Sequence, residues 1–310
     1  MSADRKAIRL PATMQVLERG WLSSNSIVFE EGGAISVLDT GYVSHAPMLV
    51  QLIEQARRGR PLARIVNTHL HSDHVGGNAA LHARYRPTIT IPPGLATAVR
   101  QWDEGRLSYA ATGQRCARFD YDALIDVDRP LHLGGLEWEV IGGGGHDPEM
   151  VLLHNHDERI LISADALWQN GFGVIFPELE GASGFAEQQE VLDRISALSP
   201  RIVIPGHGAT FGEAGAALEI AYRRLEYLRS DPQRNARHAS KVLIKFWLLD
   251  ARSTTLEQLH RHLAGTDYLR LIHRRYFPRQ DFAQMIDTHV AELVRAGAAE
   301  FAGGLLHNRD

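Results

Sequence analysis

Residues 68–74, which read Thr-His-Leu-His-Ser-Asp-His, constrain this chain more than any other stretch. They follow residues 63–67, an apolar run typical of a buried β-strand, and precede residues 75–78, where a helix can begin. Four side chains of metal-binding types fall within six residues: His69, His71, Asp73 and His74. A strand that ends in such a turn holds its side chains rigidly at one edge of a sheet, below open space. The stretch therefore predicts a metal site on an α/β fold.

Strand-like and helix-like segments alternate over the first two thirds of the chain. A hairpin over residues 26–38 is followed by a helix at 47–58 and by helices and strands around the 68–74 stretch. A second β-rich half begins near residue 131 and contains a hairpin over 150–163, a helix at 185–198 and a strand at 201–204. Two halves of this kind predict two sheets packed face to face with helices outside.

The chain becomes mostly helical from about residue 213. Four helices are predicted there, at residues 214–229, 239–249, 255–264 and 282–296. The end of the chain, residues 297–306, is predicted to form a small hairpin, so the region resembles a winged helix. The turn-forming residues 230–232 suggest a hinge. We therefore divide the chain into residues 1–212 and a C-terminal cap or winged-helix-like region, residues 213–310.

The bulk properties exclude several classes of protein. The chain has 310 residues, and its single cysteine, Cys116, rules out an internal disulfide. No apolar run is long enough for a membrane span or a signal peptide, so we expect a cytoplasmic protein without a membrane partner. The net charge is −4, but residues 221–310 carry 15 Lys and Arg against 10 Asp and Glu. Such asymmetry marks a solvated helical face or an interaction surface.

Three further candidate ligands follow predicted strands or glycine-rich turns. These are His146 after a run of four glycines, Asp165 at the end of the strand at 159–163, and His207 at the end of the strand at 201–204. Imidazole and carboxylate ligands suit Zn²⁺, and also Fe or Mn. Because the four ligands of residues 68–74 cannot all reach one small ion without strain, the pattern suggests two adjacent ions.

These residues, in this order and at these separations, resemble the metallo-β-lactamase fold superfamily over roughly residues 13–212. The resemblance implies an αββα sandwich with the metal site at one edge. It also implies a ligand set, in which His69, His71 and His146 bind the first ion, Asp73, His74 and His207 bind the second, and Asp165 bridges them. Asp39-Thr40-Gly41 matches an early element of that family, and it serves either to support the site or to end a strand. Asp147-Pro148-Glu149 departs from the family's usual small or hydroxyl residues after His146.

The resemblance implies hydrolysis by a hydroxide held between two divalent ions, most often Zn²⁺, with Asp73 as the catalytic residue that orients it and takes its proton. Residues 164–171 resemble the corresponding element of glyoxalase II-like thioesterases, and lactonases of the fold share the ligand set. The leading expectation is therefore an ester, thioester or lactone of a small molecule. A true β-lactamase is not expected, because the common subclasses lack an aspartate at the bridging position.

Two other functions remain open at this point. Some relatives with a C-terminal winged-helix-like region cut RNA, and persulfide dioxygenases of the fold hold a single iron. The C-terminal region could also form a homodimer surface. Trp168, Phe172 and Phe176 are expected near the mouth of the site unless they pack under the C-terminal region. A second group of aromatic residues lines a pocket or packs in the core: Trp102, Tyr109 and Tyr121.

Overall fold

The fold was analysed in a computed structural model that describes residues 8–309. The charged residues 1–6, on which the expectation of no signal peptide depends, lie outside this range. None of the helices in residues 8–309 combines the length and the apolar character needed to cross a membrane.

The first sheet has six strands, which follow one another across the sheet in chain order: β1 (Met14–Leu17), β2 (Ser26–Glu31), β3 (Ala34–Leu38), β4 (Leu62–Val66), β5 (Thr88–Ile91) and β6 (Ala123–Leu124). Strands β1 to β3 pair antiparallel, and β3 to β6 pair parallel. The parallel strands therefore end at one edge of the sheet, and the first of them leads directly into Asp39.

The second sheet has five strands: β7 (Leu131–Leu133), β8 (Leu136–Gly142), β9 (Val151–Asn155), β10 (Ile160–Ala164) and β11 (Ile202–Pro205). Their order across the sheet is β11-β10-β9-β8-β7, and only β10 and β11 pair parallel. Strands β8, β10 and β11 consequently run in one direction and end at the same edge. The two sheets meet at that edge, where Val151 N–H donates to the Thr68 carbonyl and Asn25 N–H donates to the Gly206 carbonyl.

The sheets pack face to face through a core in which Phe29 of β2 meets Trp138 of β8 edge to face. Period-two alternation places Val151 and Leu153 in this core and Leu152 on the opposite face. Helices cover both outer faces. The predicted αββα sandwich is therefore confirmed.

The helices of the first half are short except for α1. They are a 3-10 turn (Val43–His45), α1 (Ala46–Arg57), α2 (Ser72–Val75), α3 (Asn78–Tyr85), α4 (Ala96–Gln101) and α5 (Tyr109–Thr112). Leu49 and Ile53 of α1 and Leu81 of α3 pack on the outer face of the first sheet. The second half contributes α6 (Phe176–Glu180), α7 (Phe185–Leu198) and α8 (Ala214–Arg229), and the last two cover the outer face of the second sheet.

The C-terminal region contains α9 (Pro232–Ala251), α10 (Leu256–Ala264), α11 (Asp267–Tyr276) and α12 (Phe282–Arg295). Three short strands form a third sheet: β12 (Ser253–Thr254), β13 (Ala299–Ala302) and β14 (Leu305–Asn308). Their order across the sheet is β12-β14-β13. The terminal hairpin is thus present, and a strand, helices and a hairpin follow one another as in a winged helix. These elements share a core with α6.

Helix α9 begins seven residues earlier than the sequence pattern predicts. Asp231, which suggests a hinge by sequence, is instead its N-cap and accepts a hydrogen bond from Gln233 N–H. Pro232 occupies the first helical position, where proline is favoured. Because α8 packs with α7 and the second sheet, whereas α9 belongs to the C-terminal core, we propose that the boundary lies at this α8–α9 turn instead of at residue 212.

Candidate metal centre

The seven side chains singled out in the sequence converge at the shared edge of the two sheets. Loops after β4, β8, β10 and β11 carry them: His69, His71, Asp73, His74, His146, Asp165 and His207. Five of the seven are almost wholly buried imidazoles or carboxylates, and His71 and Asp73 retain some exposure to the cavity. Clustering titratable groups in this way is costly unless they are paired or bind an ion.

Three imidazole nitrogens meet on one side of the cluster. His71 Nδ1 lies 3.1 Å from His69 Nε2 and 2.8 Å from His146 Nε2. Nitrogen ligands of a tetrahedral Zn²⁺ lie about 2.0–2.1 Å from the ion, and hence about 3.3 Å apart. The arrangement therefore fits one small ion with little movement of the side chains.

The other side of the cluster combines two imidazoles with two carboxylates. Asp73 Oδ2 lies 3.2 Å from His207 Nε2, and Asp165 Oδ1 lies 3.5 Å from His74 Nε2. His74 Nε2 is buried and has no hydrogen-bond partner among the described residues, although it points into this group. An unpartnered buried nitrogen is costly, and a metal ion would satisfy it.

Asp165 belongs to both sides of the cluster. Its Oδ2 lies 3.5 Å from His146 Nε2 and 3.8 Å from His207 Nε2, and its Oδ1 faces His74. A carboxylate in this position can bridge two ions through its two oxygens. The seven residues thus have the donor types and the spacing for a pair of ions.

Hydrogen bonds on the far side of the rings fix their orientation. His74 Nδ1–H donates to Asp39 Oδ2 over 2.8 Å, and His146 Nδ1–H donates to the Val174 carbonyl over 2.6 Å. Such bonds select the tautomer that presents the other nitrogen to a metal. Asp39 also accepts from the Thr68 N–H and hydroxyl at 2.9 and 2.7 Å. The Asp39-Thr40-Gly41 element therefore supports the site as well as ending β3.

Electrostatics favour the protonation state that a ligand needs at several of these residues, but not at His74. Burial lowers the pKa of His69 and His71, and it lowers that of His146 to about 4, so these imidazoles are neutral at pH 7. Burial opposes ionisation of Asp165, but His207 and His74 outweigh it and hold the pKa of this carboxyl well below its usual value. The carboxylate is therefore ionised. Burial lowers the pKa of His74, but the carboxylates of Asp39 and Asp165 outweigh it and raise the pKa well above its usual value, so metal binding there would displace a proton.

Comparison with known proteins identifies the family. The model of the metallo-beta-lactamase superfamily matches residues 19–207, which is more than half of the chain and includes all seven side chains. The chain belongs to the metallo-beta-lactamase superfamily. The predicted family resemblance is thereby confirmed.

Named members of the superfamily show how far the likeness extends. The chain is 31% identical over 165 residues to the hydroxyacylglutathione hydrolase of Rhizobium meliloti (strain 1021), covering 53% of this chain and 55% of that protein. It is 24% identical over 206 residues to the Homo sapiens acyl-coenzyme A thioesterase MBLAC2, covering 62% of this chain and 73% of that protein. The chain thus spans only about half the length of the first of these relatives.

A crystal structure of a beta-lactamase domain protein from Burkholderia ambifaria has the same fold. Its TM-score is 0.56 at 20% sequence identity, and the superposition covers 98% of this chain and 97% of that one. The likeness in fold therefore includes the C-terminal region that follows the superfamily match.

The aromatic residues predicted near this superfamily site divide between cavity and core. Trp168 and Phe176 line a cavity beside the metal centre, whereas Phe172 is fully buried in the layer under α8. In the second group, Trp102 and Tyr109 pack together in the core of the first sheet, and Tyr121 lies under the Arg100 guanidinium. These three residues therefore pack and do not form the pocket.

Several residues line the cavity although nothing in the sequence indicates that role. Trp21 stacks on His207 with an interplanar angle of 7°, although it is 50% exposed and belongs to no motif. Helix α9 presents residues spaced at i, i+4, i+8 and i+11, namely His238, Val242, Phe246 and Leu249. This spacing predicts an apolar helix face, but only the tertiary structure shows what the face covers.

Asp39→Asn tests the supporting role of Asp39. An amide has one acceptor oxygen, so it cannot accept from both Thr68 N–H and His74 Nδ1–H, as the carboxylate does. We expect metal affinity to fall roughly 10- to 100-fold while the fold is retained. Competition with a chelator would measure this. Asp122→Asn is the matched control, because the Asp122 carboxylate accepts from the Ile89 N–H, away from the cluster. Unchanged affinity in Asp39→Asn would contradict the assignment.

Proposed function

We propose that this chain is a metal-dependent hydrolase that cleaves a thioester carrying an apolar acyl group. The observation that supports it most is the junction of two features, a cluster with donors for two ions and an apolar cavity that opens onto it. Esters and lactones of similar shape fit the same arrangement.

The proposed ligand set follows the two sides of the cluster. His69, His71 and His146 would hold the first ion, and Asp73, His74 and His207 the second, with Asp165 between them. When bound, a pair of divalent ions supplies Lewis acidity and activates water for hydrolysis, and these imidazole and carboxylate donors suit Zn²⁺.

The protein itself orients the reacting groups. The Asp73 carboxylate faces the cavity and is positioned by the contact of Oδ2 with His207 Nε2, so it can accept a proton from the attacking water. Trp21 and Trp168 flank His207, with ring centroids 5.8 and 5.5 Å from the imidazole, and shield that side from solvent. No serine or cysteine nucleophile is required.

The cavity favours an apolar acyl group over a polar substrate. Its volume is about 520 Å³, which is sufficient for a small-molecule substrate. Its walls away from the cluster are formed by Val174 and Phe176 below α9, by Val242 and Phe246 of α9, and by Tyr268 of α11. One relative above is named an acyl-coenzyme A thioesterase and another a hydroxyacylglutathione hydrolase, and these names support a thioester over an ester or lactone.

The same walls argue against cleavage of RNA, the first alternative function. Lys245 and Arg309 also border the cavity, but Lys245 Nζ donates to the Ala298 carbonyl over 2.7 Å and Arg309 lies 3.4 Å from Glu300. An RNA strand needs available cations and stacking faces along an open groove. For a persulfide dioxygenase, a single bound iron and oxygen consumption are the decisive findings.

A direct experiment combines metal content with a substrate panel. We expect about two Zn²⁺ or related ions in the cluster of each chain, and turnover of acyl thioesters that exceeds turnover of lactones, phosphodiesters and RNA. A single iron per chain, or cleavage of RNA with no thioester turnover, would overturn the proposal.

Val242→Trp tests the position of the acyl group. The larger ring would fill the cavity beside α9, so kcat/KM for long acyl thioesters should fall about 10-fold or more relative to acetyl thioesters. Val127→Trp is the control, because Val127 is 51% exposed and does not line the cavity. An equal loss for short and long acyl chains would place the acyl group elsewhere.

A further inference from the structure

A second group of metal-binding side chains lies outside the candidate metal centre, on the helix-covered face of the second sheet. Glu139 of β8 and His154 of β9 are direct cross-strand partners, and His156 follows His154 by two residues. His156 lies in the turn that follows β9, and its ring contacts that of His154. One ligand atom of each residue lies within 4.8 Å of those of the other two.

His154 is the unusual member of this group. Its side chain is 2% exposed, yet neither ring nitrogen has a hydrogen-bond partner among residues 8–309. The His156 ring covers it edge to face, with the ring centroids 4.5 Å apart. A buried imidazole without partners is costly, so its position in a group of ligands points to an ion that would satisfy one nitrogen.

The charges around the group permit a cation. Glu139 Oε1 accepts from Arg194 at 2.8 Å, and Oε2 faces His156 Nε2 at 2.9 Å, so one oxygen remains on the histidine side. Burial and the neighbouring His156 lower the pKa of His154, which keeps its imidazole neutral. Two imidazole nitrogens and one carboxylate oxygen favour a borderline transition metal over Ca²⁺ or Mg²⁺.

We propose that Glu139, His154 and His156 bind one transition-metal ion of the Zn²⁺ class, at a site distinct from the cluster at the sheet edge. An ion there would connect β8 to the turn between β9 and β10. Because β10 leads directly into Asp165, the ion would also stabilise the strand that carries that residue.

Zinc uptake by the whole chain tests this site. Metal-depleted protein is equilibrated with excess Zn²⁺, freed of unbound metal by ultrafiltration and analysed for bound zinc. We expect wild-type protein to retain one equivalent more than either His156→Gln or Glu139→Gln. Zn²⁺ should also raise the Tm of wild-type protein more than that of these variants.

His132→Gln is the matched control. His132 of β7 lies 3.5 Å from Glu137 of the same sheet, but this exposed pair has no second imidazole. We expect this variant to retain as much zinc as wild-type protein. Equal uptake in all four proteins, or an equal loss in the control, would overturn the proposal. The difference of one equivalent does not depend on how many ions the sheet-edge cluster holds, so the two proposals fail separately.

Discussion

Asp165→Asn should abolish thioester hydrolysis, with a fall of roughly 10³-fold or more, and should leave at most one ion in the cluster at the sheet edge. Asp165 faces both sides of the cluster, through Oδ2 toward His146 and His207 and through Oδ1 toward His74. The amide has the same shape, but it has no charge and a single acceptor oxygen. Losing a side chain that would contact both ions would remove several kcal/mol of transition-state stabilisation, and each 1.4 kcal/mol is a factor of about ten.

Asp147→Asn is the informative comparison for this variant. Asp147 is also buried at the site, but its Oδ2 lies 3.8 Å from His71 Nε2, the nitrogen that points away from the cluster. We expect Asp147→Asn to retain two ions in the cluster, with an affinity roughly 10- to 100-fold weaker. Losses of this size are usual when the changed residue contacts a metal ligand and not the metal itself. Zinc analysis and kcat/KM on one thioester would separate the two variants. Full metal content with normal turnover in Asp165→Asn would refute the ligand assignment.

Gly173→Ala should disable the site although it replaces none of the seven candidate ligands. A methyl group at Gly173 would lie 2.4 Å from His146 Nδ1 and 2.8 Å from the adjoining ring carbons. The ring cannot move away easily, because Nδ1 bonds the Val174 carbonyl and Nε2 faces His71. We expect kcat/KM to fall about 100-fold or more, since a displacement of about 1 Å is sufficient for such a loss.

Gly142→Ala provides the control for that substitution. It lies in the same glycine-rich approach to His146, but a methyl group there would meet nothing within 4 Å. Metal content and activity should therefore remain near wild-type values. If Gly173→Ala also retained both, the His146 ring would have more freedom than its contacts indicate.

The convergence of the seven side chains is predictable from the sequence, because each of them follows a strand or a glycine-rich turn. Strand ends that run in one direction meet at one edge, so residues as distant as His69 and His207 could be grouped before the structure was examined. The hydrophobic patterns also locate both sheets. Both predictions need only the local hydrophobic pattern and the direction of the strands, and these can be inferred from a single sequence.

The substrate cavity could not be predicted in this way. Trp21 stacks on His207 from a turn with no motif, and α9 reaches the site from the C-terminal region. Helix α11, whose Tyr268 also lines the cavity, is missing from the sequence prediction although its buried Tyr268, Leu269 and Ile272 have helical spacing. Such contacts depend on how segments that are distant in the sequence pack together, and the local sequence does not predict this packing.

Helix α9 has one face in the cavity wall and another in the C-terminal core, which is remote from the candidate ligands. Val242 and Phe246 border the cavity, while Ala239, Ile244 and Leu248 lie in the C-terminal core. Changes in that core would tilt or shift the helix and so alter the cavity. For the proposed thioester hydrolase, substitutions in the C-terminal core would then change the preference for acyl-chain length without changing ion uptake.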